Sequence, residues 1–91
     1  MNNEEHIKKI RESLDHHYDW PSVYVFKFIL PTIPNKQDEL LNCFSKEVDV
    51  GLKRSKNAKY ISFTLKEVMF SSDEVLKRYR EASEIEGIVS L

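Results

Sequence analysis

The stretch "WPSVYVFKFIL", residues 20–30, restricts the possible folds more than any other part of the chain. In an extended backbone, successive side chains point to opposite sides. Tyr24, Phe26, Phe28 and Leu30 then share one face, and Val23, Val25, Lys27 and Ile29 share the other. Both faces are mostly apolar, so this is the pattern of a central strand with each face at least partly covered. Lys27 marks the wetter face. Pro21 fixes the start, because the residue before a proline avoids the helical region.

Two further strands and three helices follow from the same kind of reading. Val48, Val50 and Leu52 alternate in one strand, and Ile61, Phe63 and Leu65 in the next. The polar link "RSKNAK" between them reads as a hairpin turn, with Asn57 suited to a positive φ. In "NNEEHIKKIRESLDHH", Ile7, Ile10 and Leu14 form a narrow helical stripe. Asn3 is placed to cap that helix, and Glu4 and Glu5 suit its positive end. After the prolines of "PTIPNKQ", Asn35 and Asp38 resemble an N-terminal cap, and Leu40, Leu41 and Phe44 form a short buried stripe.

The best-marked helix is "FSSDEVLKRYREASEIEG". Ser71 and Glu74 form a capping box, with Phe70 and Val75 placed for a hydrophobic staple. Val75, Leu76, Tyr79 and Ala82 make its stripe. Gly87 ends the pattern, and "IVSL" reads as a short last strand. The expected fold class is α+β. It is a ferredoxin-like βαββαβ arrangement, an antiparallel four-stranded sheet with two helices on one face, plus an extra N-terminal helix. Residues 1–18 are the helical extension and residues 19–91 the domain.

Composition narrows the function. A chain of 91 residues with 41% hydrophobic residues supports one domain and one core. Its small size leaves room for an extra helix or a dimer partner to add stability. Fourteen basic residues against fifteen acidic ones give a formal charge of −1. Nucleic-acid affinity comes largely from neutralising phosphates, so this balance argues against a dedicated nucleic-acid binder. Cys43 is the only cysteine, which excludes an intrachain disulfide and fits a reducing compartment. The polar start "MNNEEHIKK" has no signal-peptide core, and the apolar runs are too short to cross a bilayer. The expected location is cytoplasmic, without a membrane partner.

With these residues in view, "WPSVYVFKF", the "SKNAKYISFT" hairpin and the terminal "EIEGIVSL" resemble the YbeD-like family of small bacterial proteins of unknown function. The resemblance covers residues 19–91. It is carried by the aromatic-Pro start, the strand bearing Lys27, and Ser55, Lys56, Lys59, Tyr60 and Ser62 of the hairpin. It implies a ferredoxin-like fold similar to the ACT regulatory domains of amino-acid enzymes, and it implies no catalytic residue. The N-terminal helix is an addition to that pattern.

Individual candidates point the same way. His16 and His17, with Asp15, Asp19 and His6, form the densest group of metal-type ligands. Adjacent helical residues point about 100° apart, and chelating pairs on helices sit at i and i+4 instead. A helix C-terminus, favoured by a protonated histidine, is the simpler reading. Cys43 lies beside a packing stripe with no partner base, the setting of an inert cysteine. With Gly51 and Gly87 as the only glycines, there is no phosphate loop. No catalytic, cofactor-binding or metal residue is expected.

Two surfaces remain. Lys53, Arg54, Lys56 and Lys59 concentrate positive charge at the hairpin tip, as an anion or partner contact. Val23, Val25, Lys27, Ile29, Tyr60, Ser62 and Thr64 would lie on the sheet face away from the two core helices. That face is too apolar to be left fully wet, so the N-terminal helix is expected to cover it through Ile7, Ile10 and Leu14, or a second protomer to do so. Tyr60 and Phe63 are three apart and point to opposite faces, unlike the paired aromatics of an RNA-binding RRM sheet. The expected protein is a non-enzymatic interaction or regulatory module acting through a protein partner or self-association, without a cofactor. An ACT-like small-molecule sensor is the alternative, although the loop "LPTIPNKQ" lacks the glycines such sites use. RNA binding ranks third.

Overall fold

Strand β1, Ser22–Pro31, pairs antiparallel with β3, Tyr60–Met69, from Ser22 opposite Met69 to Pro31 opposite Tyr60. The computed structural model describes residues 3–91, and in it this ladder is the spine of the molecule. The other elements are α1 (Asn3–His17), α2 (Lys36–Leu41), β2 (Asp49–Arg54), α3 (Ser72–Ser83) and β4 (Val89–Ser90). β2 adds to the far side of β3, and β4 pairs with Phe28 and Ile29 of β1. The sheet order is β2-β3-β1-β4, all antiparallel. The fold is α+β, with a four-stranded antiparallel sheet and three helices.

The register sorts the side chains. Phe26 lies opposite Leu65, Phe28 opposite Phe63, and Leu30 opposite Ile61, and all six are buried. They meet Leu40 of α2, Phe44 just beyond it, and Val75 and Ala82 of α3 in a single core. The period-two pattern of β1 and β3 therefore puts one face against both helices. Burying one large apolar side chain contributes about 1.5–3 kcal/mol, so these residues dominate the fold.

Local chemistry ends the elements where the sequence signals it. Ser71 takes an extended conformation before α3, and its Oγ accepts a hydrogen bond from the Glu74 N–H at 3.1 Å. Ser71→Ala is expected to cost about 1 kcal/mol, read as a lower urea midpoint in far-UV circular dichroism. Phe70 stays 65% exposed, so the expected staple onto Val75 is weak. Gly87 has φ 85°, and a Cβ there would meet the Pro31 ring at 3.1 Å. Both the left-handed backbone and this close approach require glycine.

Three expectations change. Asn35 does precede α2, but its side chain makes no cap bond; it serves instead by adopting φ 74°. In the hairpin, the positive φ falls on Ala58, at 57°, and not on Asn57. Asn57 Oδ1 instead accepts from Ser55 Oγ at 3.0 Å and from the Lys59 N–H at 3.2 Å. These bonds hold the turn from outside while the backbone reverses one residue later. The third change concerns α1: Asn3, expected as its cap, is itself helical, and the residue before it lies outside the described residues. The helix does not cover the free sheet face but packs along α3. Leu14 reaches the core, Arg11 Nε bonds Asp73 Oδ1 at 2.8 Å, and Asp15 accepts from Trp20 Nε1 at 2.9 Å. The stripe is too narrow to cover a sheet: Ile7 and Ile10 each remain 38% exposed.

Candidate functional site

The sheet face away from α2 and α3 carries the residues left without a tertiary role. Val25 lies opposite Lys66, Lys27 opposite Thr64, and Ile29 opposite Ser62 on one side and Val89 on the other. Ser62 also faces Lys53. Val25, Lys27, Ile29, Tyr60, Ser62 and Thr64 thus share one surface, with Val23 and Val68 at one end and Tyr60 at the other. Exposure of Val23, Val25, Tyr60, Val68 and Val89 runs from 42 to 56%. Tyr60 is the one aromatic ring on this face of the described strands, while Phe63 is in the core. Lys27, Lys53 and Lys66 add positive charge, and Asp49 opposite Lys66 a negative one, to a surface of apolar and hydroxyl side chains.

The four basic tip residues are divided between the two faces of the hairpin and its turn. Lys53 and Arg54 are neighbours on β2 and point to opposite faces. Lys53 belongs to the open face beside Ile29, Tyr60 and Ser62. Arg54 lies on the helix side, opposite Ile61, at a cleft of about 450 Å³ that also involves Ile33, Asn35 and Asp38. Lys56 and Lys59 lie in the turn between β2 and β3.

The histidine pair is accounted for by the helix end. His17 Nδ1–H donates to the Ser13 carbonyl at 2.8 Å, and His16 packs edge-on against it. Among the described residues, no three His, Cys, Asp or Glu side chains come together as a group that could hold a metal. Cys43 donates weakly to the Glu39 carbonyl at 3.5 Å. Burial, and then the nearby Glu81, push its thiol pKa above the ordinary value, so the thiol stays protonated.

One group of polar residues was missed. Glu67 continues the core-facing register of Ile61, Phe63 and Leu65, and its side chain is only 8% exposed. Arg78 of α3 reaches it with Nη2 at 2.8 Å and Nε at 3.1 Å from Oε1. Ser45, after α2, donates to Oε2 through its N–H at 2.9 Å and through its hydroxyl. Burial alone would raise the Glu67 pKa. The bonds from Ser45 and Arg78 outweigh it and hold the carboxyl below its ordinary value. Arg78 also sits 5.5 Å over the Phe44 ring. The sequence signal was a carboxylate at a core-facing strand position, which needs a partner to be buried at all.

A family model described as a protein of unknown function (DUF493) matches residues 15–91. The chain belongs to the DUF493 family. No curated protein and no solved structure matches it. The DUF493 match begins at Asp15, in the last turn of α1, and takes in the whole sheet with α2 and α3. Both the open face and the Glu67–Arg78 pair lie inside it. Among the described residues of this DUF493 chain, no helix is long and apolar enough to cross a membrane.

Proposed function

We propose that this DUF493 chain is a non-enzymatic interaction module of the YbeD-like, ferredoxin-like type, and that the open sheet face is its contact surface. The element order after α1 is β-α-β-β-α-β, and the strand order β2-β3-β1-β4 fits the ferredoxin-like arrangement shared with ACT domains. The observation that carries the reading is the uncovered face: five half-exposed apolar side chains lie on it, and α1 packs elsewhere. Contiguous apolar surface of this kind marks contact sites more often than chance exposure.

The test introduces charge at the centre of the face. Val25→Glu with Val89→Glu alters two exposed positions that touch no core residue of α2 or α3. Binding to proteins captured from the native host is expected to weaken at least about tenfold, with an unchanged melting temperature. A double variant that captures the same partners as the wild type would sink the reading. Empty captures with a large thermal shift from an amino acid would favour the ACT-like sensor instead, with the cleft beside Asp38 and Arg54 as the site.

A further inference from the structure

A second surface lies at the end of the sheet where β2 begins and β3 finishes. A cleft of about 790 Å³ opens there. Its apolar lining includes Val23, Val68 and Phe70, all exposed, and its acidic lining includes Glu47, Asp49 and Glu74. Arg78, at the back of the cleft, is committed to Glu67. That leaves Lys66 as the one other cation in the lining. Among the described residues, none of Glu47, Asp49 and Glu74 has an ion-pair partner.

The opposite end of the same ribbon has the opposite character. Every residue from 49 to 60 is exposed: β2 is an edge strand paired only with β3, and the turn is open to solvent. The tip carries Arg54, Lys56 and Lys59, also without ion-pair partners, flanked by the exposed Leu52 and Tyr60. The chain is thus nearly neutral in sum but charged at both ends. At about 3.4 Å per residue, β2 holds Arg54 about 17 Å from Asp49. A paired strand cannot fold back on itself, so tip and cleft of one molecule do not meet.

We propose that the basic hairpin tip of one copy seats in the acidic, apolar-lined cleft of a second copy, so that the protein associates head to tail. The fit rests on charge complementarity, with Tyr60 presented to Val23, Val68 and Phe70, and Leu52 on the other face of the hairpin. The contact is heterologous, so copies add into an open chain or close into a ring. It shares Val23, Val68 and Tyr60 with the open face but uses neither Val25 nor Val89, so the Val25→Glu with Val89→Glu variant leaves this association intact and tells the two readings apart.

Analytical ultracentrifugation of the full chain tests it. At low salt the weight-average mass rises with concentration above the 10.8 kDa of one chain, and added salt reverses the rise. A tip variant, Arg54→Gln with Lys56→Gln and Lys59→Gln, stays monomeric. So does a cleft variant, Glu47→Gln with Asp49→Asn and Glu74→Gln. Mixed, the two form a 1:1 pair that grows no further, because one keeps only its cleft and the other only its tip. All changes are at exposed or half-exposed side chains, and circular dichroism confirms that both variants are folded. A wild type that remains monomeric at low salt overturns the proposal. So does association that persists in the two neutralised variants, or a mixture that stays monomeric.

Discussion

Phe26→Ala is expected to remove about 3–5 kcal/mol of stability, seen as a large drop in the urea midpoint of unfolding. Phe26 is fully buried. Its ring lies 4.7 Å from Tyr24, 5.0 Å from Phe44, 5.2 Å from Tyr79 and 6.3 Å from Phe28, centroid to centroid. It therefore joins β1 to α3 and to the segment after α2 at one point. The Tyr79 hydroxyl lies 3.2 Å from that of Tyr24, and burial raises its pKa, so this side of the cluster stays uncharged. A domain has about 5–15 kcal/mol in total, so the loss would leave a short chain near its unfolding threshold at room temperature. Phe26→Leu keeps most of the volume and costs less. Equal midpoints for wild type and Phe26→Ala would mean that the ring cluster is not the centre of the core.

Breaking the Glu67–Arg78 pair is expected to have the next largest effect. Arg78→Met keeps the length and apolar stem but leaves Glu67 charged, nearly buried, and hydrogen-bonded to Ser45 alone. Stranding a buried charge costs about 3–5 kcal/mol, and the 20% exposure of Arg78 places this case at the lower end. Adding Glu67→Gln removes the stranded charge, and the double variant should recover much of the loss. The pair also sets an acid limb. The folded-state pKa of Glu67 is lowered, so the unfolded chain binds that proton more readily. The contribution is full above the ordinary carboxylate pKa and is lost as pH falls through it toward the folded value. In urea titrations from neutral pH downward, Glu67→Gln should lose stability less steeply than the wild type. Parallel curves for the two would show that the pair does not set the limb.

The strands were legible because a single periodicity decides them. Phe26, Phe28, Ile61 and Phe63 alternate with polar or half-exposed neighbours, and two-fold alternation leaves little freedom in assigning faces. The cap of α3 was legible for a similar reason, since Ser71 needs only the N–H three residues on. The hairpin was legible in kind but displaced by one residue. Asn57 and Ala58 are neighbours, and which of them takes the positive φ depends on the bonds Asn57 makes across the turn. Glu67 was overlooked because its partners, Arg78 and Ser45, lie 11 and 22 residues away on other elements.

The candidate surfaces divide in the same way. Membership of the open face follows from strand parity, so the sequence alone places Val25, Lys27, Ile29, Tyr60, Ser62 and Thr64 together. It does not decide whether something covers that face, because Ile7, Ile10 and Leu14 fit a sheet or a helix equally well as a stripe. The opposed charge at the two ends of β2 needed the fold as well, since Glu74 of α3 joins Glu47 and Asp49 only once the chain is folded.

Taken alone, the amino-acid order determined the elements, the inward face of each strand and the cap of α3, because these depend on neighbours a few residues apart. The tertiary structure decided where α1 docks, what satisfies Glu67, and which charges share a surface. Those outcomes depend on groups distant in sequence, whose meeting is set by packing and desolvation and not by any local preference.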